Sequence, residues 1–346
     1  PAEFAIARLS ETALVDALKT RLTQDAAAGR FSGAVLIAHN GQPIFEQAYG
    51  LADREHGIAN TVDTGFRIGS MNKMFTAVSI MQLVQAGKIG LDDPLGKFLT
   101  DYPNKELASQ VTIRELLTHT GGTGDIFGPQ FAAHRLQLRT LADYENLYGA
   151  RAPLFKPGSR FDYSNYGFIL LGLVIEKVSG QSYYDYVRDH VYAPAGMTSS
   201  GSEPEGQVVP NRSIGYTAGP NGSLRPNTDT LPYRGSSAGG GYSTVGDLLR
   251  FANALQNHTL LDAAHTEMLT TAKVQMPGGG LSYGFGFGTG LINGMRCFGH
   301  NGGAPGMNGD LEICPSAGYV VAVLANMDPP AAGRVSDFIT NRLPAH

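Results

Sequence analysis

The sequence predicts an α/β (α+β) fold, in which an antiparallel sheet flanked by helices is interrupted by an inserted, mostly helical domain. Two observations lead to this prediction: β-rich runs occur near both ends of the 346-residue chain, and helical periodicity dominates the region between them. A sheet begun near one terminus and completed near the other implies a discontinuous sheet domain of residues 1–90 and 240–346 around a helical domain of residues 91–239. We expect the functional site in the cleft between the two domains.

The predicted amino-terminal elements are a helix and a hairpin. Residues 8–28 repeat apolar side chains at helical spacing, and Gly29 follows as a stop signal. The next run, "FSGAVLIAHNGQPIFEQAYGLAD", indicates two strands around Asn40-Gly41, a pair that suits a tight hairpin turn. We therefore expect the sheet to begin with this hairpin.

A second helix is predicted to begin at Ser70. The apolar residues after it fall on one helical face as far as Gly87, where a C-terminal cap belongs. Further helices are predicted for "TIRELLTH", "YGFILLGLVIEKVSG" and "STVGDLLRFANAL". Four strands are then expected to complete the sheet: "LSYGFGFGTG", "GMRCFGHNGG", "GDLEICP" and "GYVVAVLANM".

The charge and hydropathy of the chain exclude several classes of partner. The formal net charge is -4, from 26 basic and 30 acidic residues without a long run of either sign, so we expect no nucleic acid or anionic membrane partner. No apolar run approaches the roughly 18 residues of a membrane span. We expect a small ester, peptide or amide substrate; the oligomeric state stays open. The absence of an initiator Met favours an exported protein, periplasmic or secreted, with a cytoplasmic location as the alternative.

Ser70 and Lys73 form the first candidate pair for chemistry. Their separation puts both side chains on one face of a helix, so the lysine amine can reach the serine hydroxyl and activate it. The positive end of the helix dipole favours negative charge beside the Ser70 oxygen. Among the eight lysines, only Lys73 follows a serine at this distance. The alternative interpretation is that Ser70 is an N-cap and that the spacing is a coincidence.

A tyrosine and an asparagine for the same cleft come from one of three Tyr-x-Asn sequences: Tyr102-Pro-Asn104, Tyr144-Glu-Asn146 and Tyr163-Ser-Asn165. The first contains a proline in a loop, and the second lies in a helix-like run where residues i and i+2 face apart. The third precedes an apolar helix, and an extended loop there can aim both side chains into one cleft. We therefore predict that Tyr163 and Asn165 belong to the site.

His-x-Gly also occurs three times: His39-Asn-Gly41, His119-Thr-Gly121 and His300-Asn-Gly302. The first is best interpreted as the hairpin turn and the second as a helix C-cap. The third lies beside a predicted strand with a glycine-rich edge, which permits close approach of a ligand. A lone histidine is more often structural, so the assignment of His300 to the site depends on the presence of the other two motifs.

In this order, Ser70-x-x-Lys73, Tyr163-x-Asn165 and His300-x-Gly302 resemble the motifs of the serine β-lactamase and penicillin-binding-protein superfamily. The resemblance is closest to the branch that holds class C β-lactamases, D-alanyl-D-alanine carboxypeptidases and β-lactamase-like esterases. It covers nearly the whole chain, because "ELLTHTGG", "FDYSNYGFILLG" and "GGGYSTVGDLLRF" also resemble the family framework. The resemblance implies a β-lactamase/transpeptidase-like fold and a serine hydrolase that forms a covalent acyl-enzyme.

The resemblance also implies roles for the catalytic residues. Ser70 is expected to be the acyl-forming nucleophile, and Lys73 the group that takes or shares its proton. Tyr163 is expected to relay protons to the leaving group and to help activate water. The backbone N–H groups of Ser70 and Gly303 are expected to form the oxyanion hole. Substrate contacts are expected from Asn165, His300, Asn301 and Gly302.

One departure from the family pattern bears on the substrate. The third motif is commonly Lys-Thr-Gly, whereas this chain has His300-Asn301-Gly302, and a neutral imidazole binds a carboxylate less strongly than an ammonium does. We therefore favour a carboxylesterase on small acyl esters. A D-alanyl-D-alanine carboxypeptidase or D-amino-acid amidase is the alternative, followed by a weak β-lactamase and by a non-catalytic penicillin-binding or sensor module. Substrate choice is expected to depend on loops 120–150 and 200–238.

Cys297 and Cys314 lack the paired spacing of a zinc site, and we expect neither a metal nor an organic cofactor. If Gly303 pairs with Asn308 across a turn, the register places the two cysteines directly opposite each other on neighbouring strands. A disulfide and two buried free thiols are both compatible with this arrangement.

Overall fold

The computed structural model describes residues 6–344, and its centre is an eight-stranded antiparallel sheet. The strands of this sheet are β1 (Gly33–His39), β2 (Gln42–Tyr49), β9 (Val274–Gln275), β10 (Leu281–Tyr283), β11 (Gly288–Ile292), β12 (Met295–Ala304), β13 (Met307–Cys314) and β14 (Tyr319–Ala325). Their spatial order is β2-β1-β14-β13-β12-β11-β10-β9. The first strand of the chain therefore pairs with the last, which confirms the predicted antiparallel sheet built from both ends of the sequence.

Shorter strands pair outside the main sheet: β3 (Leu51–Asp53) with β4 (Ile58–Ala59), β5 (Phe66–Arg67) with β8 (Tyr242–Ser243), and β6 (Tyr216–Ala218) with β7 (Leu224–Pro226). The helices that flank the main sheet are α1 (Glu11–Ala27), α2 (Asn72–Gln85), α10 (Val245–Gln256), α11 (Ala263–Thr270) and α12 (Ala331–Thr340). The helices between α2 and α10 are α3 (Lys105–Gln110), α4 (Ile113–Leu117), α5 (Pro129–His134), α6 (Leu141–Tyr148), α7 (Asn165–Ser179), α8 (Tyr183–Val187) and α9 (Ala193–Ala195).

The two faces of the sheet are covered by different helices. In β1, Ala34 and Leu36 contribute to a large core that includes α2 and α7, whereas Val35 and Ile37 contribute to a smaller core that includes α1 and α12. Both faces of the strand are therefore buried, which explains its nearly continuous apolar sequence. Within residues 6–344, no helix combines the length and the apolar character that a membrane crossing requires.

The amino-terminal predictions agree closely with the structure. The side chain of Ser10 caps α1, and Gly29 follows the helix with a φ of 67°. The β1–β2 turn places Asn40 and Gly41 at φ values of 49° and 78°, the left-handed conformation that a two-residue hairpin turn with two positive φ angles requires.

Two regions differ from the predictions. The run "LSYGFGFGTG", predicted as one strand, forms β10 and β11, because the intervening turn is closed by a hydrogen bond from Gly284 N to Phe287 O. Gly286 in this turn has a φ of 76° and packs against α2 so closely that a Cβ there would lie 2.4 Å from Ala77 Cβ. Residues 198–239, predicted within a mostly helical region, form loops and the β6–β7 hairpin, because prolines recur there and remove backbone donors. The division into two domains stays a prediction. Residues 1–5 and 345–346 of the predicted sheet domain lie outside the residues that the structure describes.

The register of β12 and β13 is the one considered from the sequence. Gly303 pairs with Asn308, and Cys297 and Cys314 are joined by a disulfide between the two strands. Of the two alternatives, the structure has the disulfide rather than two free thiols. The bond lies in the smaller core, on the face of the sheet that packs against α12.

Candidate active site

Ser70 lies in a short 3-10 turn, Gly69–Met71, that leads directly into α2 and packs against β12. The contact is made between backbones: a Cβ on Gly69 would lie 3.0 Å from Gly303 N, and a Cβ on Gly302 would lie 2.0 Å from Ile68 O. Glycine is therefore required on both sides of this contact. The hydroxyl of Ser70 caps neither the turn nor α2, so the alternative interpretation of Ser70 as an N-cap is wrong.

Lys73 lies one turn further along and is completely buried. Its Nζ donates to Ser70 Oγ at 3.1 Å, to Asn165 Oδ1 at 2.7 Å and to Ala238 O at 2.5 Å. Burial lowers the pKa of Lys73 to about 7, and the charge of Asp125 opposes that shift. Near neutral pH a substantial fraction of Lys73 is therefore uncharged and able to accept the proton of Ser70.

Tyr163 faces Ser70 from the loop before α7. Its buried hydroxyl has no well-aligned hydrogen bond, and Lys73 Nζ lies 4.7 Å from the centre of its ring. Burial raises the pKa of Tyr163, and the contact with Ser70 opposes this shift only in part. The phenol is therefore protonated at neutral pH, which suits a group that delivers a proton to a departing atom.

Asn165 is the first residue of α7, rather than part of an extended loop as the sequence suggested, and Ser164 is its N-cap. Its Oδ1 accepts from Lys73, and its Nδ2 donates to Asp125 Oδ1 at 2.9 Å. Both ends of the amide are thus engaged by protein, and one N–H of the Nδ2 group is left for a substrate. Substrate binding by Asn165 stays a prediction.

His300 on β12 is turned towards the protein interior. Its Nδ1 donates to Asn301 O at 2.5 Å, so its Nε2 must accept the hydrogen bond from the Tyr283 hydroxyl at 2.8 Å. Burial, together with the charge of Lys73, lowers the pKa of His300 to about 3. The imidazole is neutral with neither nitrogen free, which argues against the predicted substrate contact by its side chain, while the side chain of Asn301 is exposed beside it.

The structure thus brings together the predicted residues of all three motifs. The backbone of the Ser70 turn lies against the backbone of Gly302 and Gly303. A Cβ on Gly302 would lie 2.9 Å from Ser70 N, and a Cβ on Gly69 would lie 3.0 Å from Gly303 N. An oxyanion hole made of these two groups needs such an arrangement, and their role in it stays a prediction.

Sequence reasoning missed the contribution of His119 to the site. The residue follows α4 with a φ of 57°, as its interpretation as a helix cap requires, but its ring also packs 4.2 Å from that of Tyr163. Its Nδ1 accepts from Ser164 N at 3.0 Å, and burial lowers its pKa well below the usual value. His119 therefore supports the Tyr163 ring and the start of α7 as a neutral side chain. The only signal for this was its place in "ELLTHTGG", a segment that resembles the family framework.

Two cavities flank the catalytic residues. The Ser70 cavity, of about 570 Å³ with the space open to solvent, is lined by Ser70 and by apolar side chains that include Ile126, Phe131 and Met307. The Tyr163 cavity, of about 590 Å³ measured in the same way, is lined by Tyr163, Asn301, Met276, Leu281 and Ile292.

The charged groups differ between the cavities. Arg234 is the one lysine or arginine among the described residues that line the Ser70 cavity. Within residues 6–344, no lysine or arginine lines the Tyr163 cavity, which instead contains Asp310 and Glu312. Burial raises the pKa values of both carboxyl groups. The Tyr163 cavity therefore offers no cation to a ligand.

Comparison with known proteins places this site in a family. The model of the Beta-lactamase family matches residues 16–345. The chain is 32% identical to esterase EstB of Burkholderia gladioli, over 82% of this chain and 81% of that protein. Its fold is similar to a penicillin-binding protein from Bacillus halodurans, with a TM-score of 0.83 and 34% identity over 93% of this chain and 98% of that one. It is also similar to a D-stereospecific amidohydrolase from Streptomyces sp., with a TM-score of 0.77 and 29% identity over 93% and 97% of the two chains. The chain therefore belongs to the β-lactamase and penicillin-binding-protein family and is one of its serine hydrolases.

Proposed function

We propose that this serine hydrolase is a carboxylesterase that acts on small acyl esters through an acyl-enzyme on Ser70. We assign the Tyr163 cavity to the leaving group, because Tyr163 is the expected proton donor to the departing atom. The observation that carries the proposal is the lack of a lysine or arginine in the described lining of this cavity. Penicillins and D-alanyl-D-alanine peptides bear a carboxylate there, and a carboxylate removed from water needs a charged or multiply donating partner. The Tyr163 cavity has no lysine or arginine among its described residues, and His300 is neutral. An ester with an uncharged alcohol needs no charged partner for its leaving group.

The acylation step follows from the contacts of the catalytic residues. Ser70 Oγ attacks the ester carbonyl carbon while its proton passes to the neutral amine of Lys73, and the carbonyl oxygen becomes an oxyanion beside Ser70 N and Gly303 N. When the tetrahedral intermediate collapses, the bond to the alcohol oxygen breaks. Tyr163 donates its proton to that oxygen and regains one from the Lys73 ammonium. The products are the alcohol and the acyl-enzyme.

Deacylation reverses the same proton path. A water molecule attacks the acyl carbonyl and loses its proton towards Tyr163 and Lys73. The bond to Ser70 Oγ then breaks, and the serine oxygen recovers a proton as the carboxylic acid leaves. No group other than these residues and water takes part in the proposed cycle.

A D-amino-acid amidase is a second candidate because of Asp125. This exposed carboxylate lies beside Asn165, and its Oδ2 has no hydrogen bond within the described chain. An exposed anion beside Asn165 suits the α-ammonium group of an aminoacyl substrate. The similarity to the Streptomyces amidohydrolase supports the same class of substrate.

The two candidates are separated by one panel of substrates. Wild-type protein is assayed with 4-nitrophenyl butyrate, D- and L-phenylalanine amide, a D-Ala-D-Ala peptide and a chromogenic cephalosporin. Ser70→Ala is the inactive variant, and Ser109→Ala, an exposed serine on α3, is the matched control. We expect the highest kcat/KM for the ester. A higher kcat/KM for the D-amide supports the second candidate, and no turnover of any substrate contradicts both and favours a non-catalytic module.

We also propose that the protein works in an oxidising compartment, the periplasm or the cell exterior. The Cys297–Cys314 disulfide supports this, because cytosolic thiols are usually kept reduced. Fractionation of the native host with an antibody against the protein tests it, and recovery only in the cytosol would contradict it.

A further inference from the structure

The Ser70 cavity has an apolar wall formed by the segment that follows Asp125. Ile126, Phe127 and Phe131 line the cavity together with Ser70, and we call these three side chains the Phe127 wall. The rings of Phe127 and Phe131 meet edge to face, with their centres 5.0 Å apart and their planes at 78°. Phe131 is 9% exposed, whereas Phe127 is 60% exposed. The wall therefore has a buried part at Phe131 and an open part at Phe127.

The start of the Phe127 wall is tied to the catalytic residues by hydrogen bonds. Ile126 N donates to Asp125 Oδ1 at 2.7 Å, and the same carboxylate oxygen accepts from Asn165 Nδ2 at 2.9 Å. Ile126 O accepts from the hydroxyl of Tyr148 at 2.9 Å. Both backbone polar groups of Ile126 are thus engaged. These bonds hold the wall in place relative to Asn165, the amide that contacts the catalytic lysine.

The place of the acyl chain follows from the proposed acylation step. In the tetrahedral intermediate the carbonyl carbon is bonded to Ser70 Oγ, its oxygen lies beside the Ser70 and Gly303 N–H groups, and the alcohol departs towards Tyr163. Ser70 and Gly303 line the Ser70 cavity, whereas Tyr163 lines the other cavity. The remaining substituent of the carbonyl carbon is the acyl chain. We therefore expect this chain in the Ser70 cavity, against the Phe127 wall.

We propose that Phe127 is a specificity-determining residue that selects esters by the length of their acyl chain. The inference rests on the proposed esterase function and names the acyl part of its substrate, an uncharged hydrocarbon chain longer than acetyl. Each methylene that lies against the Phe127 wall leaves water and also covers part of the exposed ring. Burial of apolar surface is favourable in proportion to its area, so binding should improve as the chain lengthens.

The position of Phe127, rather than its exposure, carries this inference. Single exposed apolar side chains are ordinary on protein surfaces. Ile58 on β4, for example, is 55% exposed and does not line the Ser70 cavity. Phe127 is similarly exposed, but it lines the cavity that contains the nucleophile. It also falls within the loop region 120–150, where the sequence predicts that substrate choice is made.

The test compares ethyl hexanoate and hexyl acetate, two isomers that carry the six-carbon chain on opposite sides of the ester bond. Ethyl acetate, which is short on both sides, is the reference, and titration of the released acid follows the reaction. We expect wild-type kcat/KM to be at least about 10-fold higher for ethyl hexanoate than for ethyl acetate, since four further methylenes leave water. The gain should lie mainly in KM, because the chain makes the same contacts before and during the reaction.

Variants assign the preference to Phe127. Phe127→Ala removes the ring and should lower the ratio of kcat/KM for ethyl hexanoate to that for ethyl acetate by about 3- to 10-fold. Phe127→Gln removes the apolar surface but keeps a long side chain, and it should lower the ratio likewise. Phe127→Leu keeps an apolar wall and should retain the ratio within about twofold. Ile58→Ala, at a similarly exposed apolar position, is the matched control and should leave the ratio unchanged.

The outcomes distinguish this inference from the proposed function. Wild-type hydrolysis without a preference for ethyl hexanoate over ethyl acetate overturns the inference and leaves the esterase function intact. A preference that survives in folded Phe127→Ala or Phe127→Gln also overturns it. A loss confined to hexyl acetate in these variants does so as well, because it would place the alcohol beside Phe127. Hydrolysis of none of the three esters by the wild type contradicts the proposed function, and the inference with it.

Discussion

Asn165 Oδ1 accepts a hydrogen bond from Lys73 Nζ at 2.7 Å. The orientation of this amide is fixed on its other side by Asp125, whose carboxylate accepts from Asn165 Nδ2. An ammonium only donates and a carboxylate only accepts, so the amide cannot be turned around without losing both bonds. The chain Asp125–Asn165–Lys73 therefore directs the lysine towards Ser70, and it suggests how each residue can be tested.

The Lys73 amine is expected to matter almost as much as the Ser70 hydroxyl. Nucleophile and base act as a unit, so Lys73→Ala and Ser70→Ala should each lower kcat/KM for an ester by about 10³-fold or more. Lys88→Ala, at an exposed position just after α2, is the control and should retain wild-type activity. A Lys73→Ala protein that is folded by circular dichroism and keeps most of its rate would contradict the proposed pairing.

The pH dependence of the reaction should report the ionisation of Lys73. Activity requires the neutral amine, so kcat/KM should rise with pH through the pKa of about 7 that burial produces. Asp125 raises this pKa by its charge, so Asp125→Asn should move the midpoint of the rise to lower pH. The exposed Asp63 provides the control, and Asp63→Asn should leave the midpoint unchanged. A midpoint that moves to higher pH in Asp125→Asn would show that another group controls the profile.

A side chain at position 303 should damage catalysis through the backbone. A Cβ on Gly303 would lie 2.6 Å from Pro329 Cγ, so Gly303→Val must shift β12 or Pro329, and a shift of β12 moves Gly303 N relative to Ser70. Losing one oxyanion-hole donor should reduce kcat by about 10²- to 10³-fold. Gly206→Val is the control, because a Cβ there meets nothing within 4 Å. If Gly303→Val keeps wild-type kcat while remaining folded, Gly303 N has no part in the oxyanion hole.

The disulfide should stabilise the protein without taking part in its chemistry. Thiol titration of the denatured, unreduced protein should find no free thiol, since Cys297 and Cys314 are bonded to each other. The bond joins residues 17 positions apart, so replacing both by serine should lower the free energy of unfolding by about 3 kcal/mol. Urea denaturation measures this change. Two free thiols in the native sample would contradict the structure at this point.

Local patterns in the sequence were sufficient for much of the fold. The spacing of apolar residues predicted α1 and α2, and Asn40-Gly41 predicted the first hairpin, because helix faces and tight turns depend on residues close together in the chain. Glycine spacing was less informative in residues 281–290, where a turn divides the predicted strand into β10 and β11. That turn is stabilised by packing of Gly286 on α2, a contact between distant segments.

The sequence by itself determined the Ser70–Lys73 pair, since one helical turn places both side chains on one face wherever the helix lies. The tertiary structure alone decided what surrounds that pair. Lys73 reaches Asn165 across 92 residues of chain, and the neutral state of His300 depends on its burial beside Tyr283. The contact of the His119 ring with Tyr163 likewise follows from how distant elements pack. Contacts between remote segments and the desolvation of buried groups are properties of the whole fold, so no short stretch of sequence specifies them.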